Sequence, residues 1–300
     1  MKRKDFLKKA SFGLIGSAVG ASVIGAANDP QKHALTEQVG FNHLPNKEAT
    51  AMNTEATVKT LGKSVLHKAN TRGHANHGWL NSHHSFSFAN YYNPDRMSFG
   101  VLRVLNDDRV APGRGFGTHP HDNMEIISIP LQGDLEHKDS MGNVAVIRQG
   151  DVQAMSAGTG IYHSEYNRNP EQEVKFLQIW VLPNKRGVEP RYDQITLDPQ
   201  DTQEEMQQIL SPNPDDAGVW IHQNAWFHIV ELEAGQTTDY QFKDAPNNGV
   251  YSFVLEGDVT VNGQALNARD GYGVWETNAL KLSADTKTRV LLMEVPMNLG

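Results

Sequence analysis

The sequence predicts an all-β chain, and three observations carry that prediction. Its apolar runs are short, of strand length. The segments between them are rich in Gly, Asn, Asp and Pro, the residues that turns need. Only one stretch has the composition of a helix. In chain order, FGVLRVLNDDRVAPG (99–113), EIISIPLQGDLEHKDSMGN (125–143), VAVIRQGDVQAMSAG (144–158) and VKFLQIWVLPN (174–184) each read as one or two strands closed by a turn. Met141-Gly142-Asn143 reads as a hairpin turn. The exception is DPQDTQEEMQQILS (198–211), which predicts a helix with Asp198 or Thr202 as its cap. Many short strands at this spacing predict a sandwich or a barrel.

The 300 residues suggest one large domain or two of ordinary size. The first 27 are expected to lie outside the fold. They have a basic start, a weakly apolar middle from Phe12, and small residues at Gly25 and Ala27. That is the layout of an export signal, with cleavage expected near Ala27 and a periplasmic destination. Arg3-Lys4-Asp5-Phe6-Leu7-Lys8 is similar to the twin-arginine motif with lysine at its second arginine, so that route and the Sec route both stay open. The apolar run is broken by Gly and Ser and is short for a span, so no stable membrane span is expected after cleavage. Residues 28–57 are polar and aperiodic, and read as a flexible linker.

The formal charge is −8, and residues 1–27 carry Lys2, Arg3, Lys4, Lys8 and Lys9 against Asp5. Without them the chain stands at −12, which excludes a nucleic-acid footprint. The absence of cysteine excludes disulfides, thiolate metal sites and a Cys nucleophile. GRGFG (113–117) precedes no helix pattern and is no phosphate loop.

The chain carries a faint internal repeat. Leu131-Gln132-Gly133-Asp134-Leu135 recurs as Leu255-Glu256-Gly257-Asp258-Val259, an offset of 124. Each copy follows an apolar run and precedes another strand, which predicts two similar β units. The constant offset carries His119 to Lys243, His121 to Ala245 and Glu125 to Gly249, and His163 falls near residues 281–283. Only the first unit would then bind metal.

GTHPHDNME (117–125) and YHSEYN (162–167) carry the chemistry. In a strand, residues i and i+2 share a face, so His119 and His121 converge, as do His163 and Glu165. Glu125, four residues beyond His121, shares that face if the strand stays regular. Three imidazoles and a carboxylate suit a divalent transition metal, Fe(II) above Mn, Co, Ni, Cu or Zn. His137 is a candidate for the same cavity. His74, His77, His83 and His84 fall in a Gly/Asn-rich segment read as a loop. His67, His222 and His228 read as structural, and the aromatics of SFSFANYY (85–92) as packing.

Gly113, His119-Pro120-His121 and Glu125 resemble the first motif of the cupin superfamily, and Gly150, Ser156-Ala157-Gly158, His163 and Asn167 its second. Glu125 to Gly133 is one residue longer than usual and Gly158 to His163 two longer, and Ser156 replaces the usual proline. With FGTHPHDNMEI, HKDSMGN, MSAGTGIYHSEYN and PRYDQ, these departures resemble one branch, the pirin family. The resemblance runs from about Leu66 to the C-terminus. It implies a bicupin, two tandem jelly-roll barrels: a metal-binding N-terminal cupin over 58–185, a connection over 186–215, and a C-terminal cupin over 216–300 without metal ligands. It implies His119, His121, His163 and Glu165 as ligands, with Glu125 held behind them, orienting a histidine tautomer.

Bacterial pirins resemble quercetin 2,3-dioxygenases, which implies a small flavonol-like aromatic substrate, O2 as co-substrate, and a monomer. Glu165 would serve as ligand, as base, or as both. The rival readings are a binding or redox-sensing cupin without turnover, and a dioxygenase for another enediol or catechol.

Overall fold

The computed structural model describes residues 62–197 and 206–299. The expected export signal and linker fall outside the described residues. Among those described, no helix is long and apolar enough to cross a membrane.

The first half contributes β1 (Lys63–His67), β2 (Gly73–Asn76), β3 (Leu80–His84), β4 (Leu102–Val110), β5 (Gly115–His121), β6 (Glu125–Gln132), β7 (Leu135–Asp139), β8 (Val144–Ile147), β9 (Asp151–Ser156), β10 (Ile161–Tyr166), β11 (Val174–Val181) and β12 (Arg191–Thr196). The second contributes β13 (Met206–Ser211), β14 (Val219–Trp220), β15 (Trp226–Leu232), β16 (Thr237–Gln241), β17 (Asn248–Glu256), β18 (Val259–Val261), β19 (Gln264–Leu266), β20 (Gly271–Trp275), β21 (Ala279–Ala284) and β22 (Thr288–Pro296). The chain is all-β, as its composition predicts, and its sheets are those of a bicupin.

Each barrel pairs a seven-stranded sheet with a four-stranded one. The first has the orders β12-β9-β6-β11-β4-β3-β2 and β5-β10-β7-β8, and the second β1-β20-β17-β22-β15-β13-β14 and β16-β21-β18-β19. The orders correspond strand for strand. The repeat is therefore structural: the β6–β7 and β17–β18 hairpins are its two copies. Gly133 and Gly257 occupy the same turn with φ of 75° and 77°. A Cβ on Gly257 would lie 2.2 Å from the Lys287 carbonyl oxygen, so glycine is required there.

Three expectations need correction. β1 pairs antiparallel with β20, Lys63 opposite Trp275 and His67 opposite Gly271, so this N-terminal strand edges the second barrel's sheet. The expected connection 186–215 contains β12, on the edge of the first sheet, and β13, inside the second. The predicted helix is overturned where it is described: Met206–Ser211 is a strand, held by β15 on one side and β14 on the other. Pairing on both edges outweighs the weak helical preference of Met, Gln and Leu. Residues 198–205 lie outside the described residues.

The two large sheets pack face to face. Leu105, Ile127, Ile129, Leu177 and Ile179 meet Phe227, Ile229, Phe253, Leu291 and Met293 in one core cluster. Each such side chain contributes about 1.5–3 kcal/mol when fully buried. The EIISIP run of β6 is buried throughout because both faces are covered, Ile127 and Ile129 by the second barrel, Ser128 by the first barrel's interior.

Candidate metal centre and its cleft

β5, the edge strand of the small sheet, runs antiparallel to β10, with His119 opposite His163 and Ile161 opposite His121. The strands approach closely at Gly115, where a Cβ would lie 2.2 Å from the Glu165 carbonyl oxygen. On the other side of β10, Glu165 stands opposite His137 of β7. The structure thus sets the four expected ligands and His137 in two overlapping groups that share His163, with Glu165 in the group that holds His137 and not in the one that holds His119 and His121. Ring centroids are 4.4 Å apart for His119 and His163, and 4.9 Å for His121 with each of them. The donor atoms of His119, His121 and His163 lie within 4.8 Å of one another, as do those of His137, His163 and Glu165.

The cluster fits a cation on its own chemistry. His121 Nε2, both nitrogens of His163 and His137 Nδ1 are buried without a hydrogen-bond partner. Each such group costs about 1–3 kcal/mol if left unsatisfied. A shared cation satisfies several at once. His119 Nδ1 donates to the Gly117 carbonyl at 2.8 Å, which leaves Nε2 as the ligating atom. Burial, with the neighbouring imidazoles, pulls the pKa of His163 down to about 2 and that of His121 to about 4, so both rings are neutral.

Glu165 is held from behind. Gln178 Nε2 donates to its Oε2 at 2.9 Å, and Ser128 Oγ lies 3.0 Å from its Oε1 and 2.7 Å from Gln178 Oε1, one proton serving both acceptors. Burial still pushes its carboxyl up to about 7 against those bonds. His137 is fully buried and faces the cluster, as expected of it. Its Nε2 donates to Asp139 Oδ2 at 3.2 Å. Asp139 in turn accepts from the Met141 and Asn143 backbone N–H groups of the expected hairpin turn. The HKDSMGN motif is thus a turn that aims a histidine.

Glu125 is elsewhere. Its Oε2 accepts from Ser156 Oγ at 2.6 Å, and its remaining influences are Arg191 and the His222 backbone. It touches no imidazole of the cluster. Asn123, at φ 45°, ends the strand that carries His119 and His121, so Glu125 starts a new one in the large sheet. Burial pushes its carboxyl to about 7.

A cleft of about 550 Å³, counted to its open mouth, leads to His119 and Glu165. Phe88, Phe116 and Trp180 give it aromatic walls, and Trp180 also stands edge-on to His121 at 4.9 Å. The segment read as a loop is the β2–β3 hairpin. There His74 stacks on His83 at 4.5 Å, while His77 and His84 line the cleft. Of SFSFANYY, Phe86 is core but Phe88 is cleft wall. His67 bonds Tyr251, His222 packs on Trp220 and His228 on Tyr240, as structural histidines do.

Sequence reasoning missed Ser82, Asn106, Asp108, Ser128 and Gln178, which also form the site. The signal was present: polar residues at alternate positions of otherwise apolar strands, as in RVLNDDRV, IISIP and FLQIWV.

The chain matches two family models, Pirin over residues 65–181 and Quercetinase C-terminal cupin domain over residues 208–295. The Escherichia coli K12 protein named quercetin 2,3-dioxygenase is 44% identical over 231 residues, 77% of this chain and 98% of that protein. The crystal structure of YhhW from E. coli superposes with a TM-score of 0.74 at 43% identity, covering 78% of this chain and 98% of that one. A second, of bacterial pirin YhhW in complex with nickel(II), gives 0.73 at 42% identity over 78% and 99%. The cluster lies in the barrel that the Pirin model spans, and with relatives this similar over nearly their whole length, the chain belongs to the pirin family.

Proposed function

We propose that the chain is a metal-dependent dioxygenase that cleaves flavonols with O2, with His119, His121, His163 and Glu165 holding the metal. The observation that carries this reading is the set of buried, unpartnered imidazole nitrogens at the end of an aromatic-walled cleft. The names of the relatives support it. The donor set suits Fe(II) first, with nickel the alternative that the related YhhW complex supports. A bound divalent ion would supply Lewis acidity toward a flavonol's adjacent oxygens and a centre at which O2 can react.

The remaining roles belong to the chain. Phe88, Phe116 and Trp180 take the planar rings and exclude water. Ser128 and Gln178 fix Glu165, whose carboxylate takes the flavonol hydroxyl proton. His137, aimed by Asp139, fills the far side of the cluster. The second barrel packs against the large sheet and adds no ligand. We propose further that residues 1–27 direct export, that 28–57 link, and that the mature chain works as a periplasmic monomer.

Oxygen uptake with quercetin tests the reaction, on protein given Fe(II), Mn, Co, Ni or Cu in turn beside a His119→Ala control. Flavonol-dependent uptake that needs His119 is expected. No uptake by protein shown to hold metal would make this a binding cupin.

A further inference from the structure

The large sheet of the first barrel carries a polar row that metal binding alone does not explain. His84, Asn106, Gln178, Ser128 and Gln153 stand directly opposite one another, one per strand, across β3, β4, β11, β6 and β9. All five are buried. Ser128 and Gln178 hold Glu165, but His84 and Asn106 lie at the other end, where Ser82 and Asp108 join them in the cleft wall. Polar groups inside a barrel cost stability unless paired, and Ser82, His84, Asn106 and Asp108 are paired with a direction.

Ser82 Oγ donates to Asp108 Oδ1. A hydroxyl has one proton, so towards His84 Nδ1, 3.3 Å away, Ser82 Oγ can only accept. The same Nδ1 lies 2.8 Å from Asn106 Oδ1, a second acceptor. Asn106 Oδ1, joined by Ser82 Oγ while Asp108 is ionised, fixes the proton on Nδ1; burial pushes the Asp108 carboxyl up to about 7. Burial lowers the pKa of His84, so the ring is neutral and Nε2 is left as an acceptor. Phe88 and Tyr91, with ring centroids at 5.3 and 6.4 Å, hold the plane of the imidazole. The cleft therefore has two polar poles, the metal cluster at His119 and Glu165 and an oriented acceptor at His84. The aromatic pair Phe88 and Trp180, 5.4 Å apart edge to face, also lines it.

We propose that His84, oriented by Ser82, Asn106 and Asp108, is a second recognition point, whose Nε2 accepts a hydrogen bond from a ring hydroxyl of the aromatic substrate while the substrate's adjacent oxygens face His119 and Glu165. This rests on the flavonol reading and narrows it. The preferred substrate is a polyhydroxylated aromatic, not one that carries only a metal-binding oxygen pair.

The test is equilibrium binding to full-length, zinc-loaded protein, which needs no turnover. Quercetin and 3-hydroxyflavone share the metal-binding pair, and only quercetin adds further ring hydroxyls. Quercetin is expected to bind about tenfold more tightly, the worth of one hydrogen bond. His84→Phe should bring the ratio close to one. Ser82→Ala, a change of one hydroxyl that disturbs the fold least, should cut it to about threefold by freeing the tautomer. A ratio near one in the wild type, or an unchanged ratio in both variants, overturns the proposal while the flavonol reading stands. If neither flavonol binds to protein shown to hold zinc, the flavonol reading falls and the proposal with it.

Discussion

The two barrels share a strand order and differ in what fills them. The pairing registers make the comparison residue by residue. Tyr240 stands opposite Leu280 in the second barrel as His119 stands opposite His163 in the first. Leu282 stands opposite Val261 as Glu165 stands opposite His137. Tyr240, Phe242, Val261, Leu280 and Leu282 all belong to one apolar cluster. The polar row has its counterpart in Gln208, His228, Leu292, Ser252 and Tyr272, where leucine replaces the glutamine that holds Glu165. The topology therefore needs neither the imidazole cluster nor the glutamine, although the second barrel keeps His228 and Ser252 buried in its own row. The first barrel gives up apolar burial for a cluster of unpartnered imidazoles, and a bound ion is the physical reason for such an exchange.

The largest expected effect is loss of metal. His119→Ala or His163→Ala should empty the site, because each removes one of only four proposed protein ligands, and elemental analysis reads this directly. Full occupancy in either variant would break the comparison at its root. Glu165→Gln should also lose metal while Glu125→Gln keeps it, since Glu125 bonds Ser156 and faces away from the cluster.

The converse experiment belongs to the second barrel. Leu282→Ala should cost about 2–5 kcal/mol in urea unfolding, the range for a buried leucine, with metal content unchanged. Metal lost in step with Leu282→Ala would mean that the second barrel takes part in the site.

A smaller effect is expected from Gln178→Leu, which copies Leu292 into the first barrel. Removing a partner behind a ligand weakens metal binding about 10–100-fold, and a chelator competition measures it. The smallest effect is in protons. Glu165, raised to about 7, is protonated in metal-free protein below that pH, whereas His121 and His163 are already neutral. Loading should release about one proton from Glu165 near pH 6 and almost none above about pH 8. Calorimetry in buffers of different ionisation enthalpy counts them, and release that grows with pH would contradict the assignment.

Much of the site was legible because strand periodicity is local: His119 with His121, and His163 with Glu165, declare a shared face within three residues. Glu125 was misplaced because one left-handed residue, Asn123, ends that face, and its composition gives no warning. A constant offset placed His119 on Lys243, whereas the register places it on Tyr240, because the repeats differ in loop length before these strands. The strand Met206–Ser211 was hidden because its sequence favours a helix and only its neighbours make it a strand. His84, Asn106, Gln178 and Ser128 form a row through four separate strands, a relation no single segment contains.

The most direct test of the account is anomalous diffraction from crystals of the protein loaded with cobalt or nickel. One peak is expected, inside the first barrel, with His119, His121, His163 and Glu165 at about 2.0–2.2 Å. A peak held by His137 in place of Glu165, a peak in the second barrel, or no peak at saturating metal would contradict it.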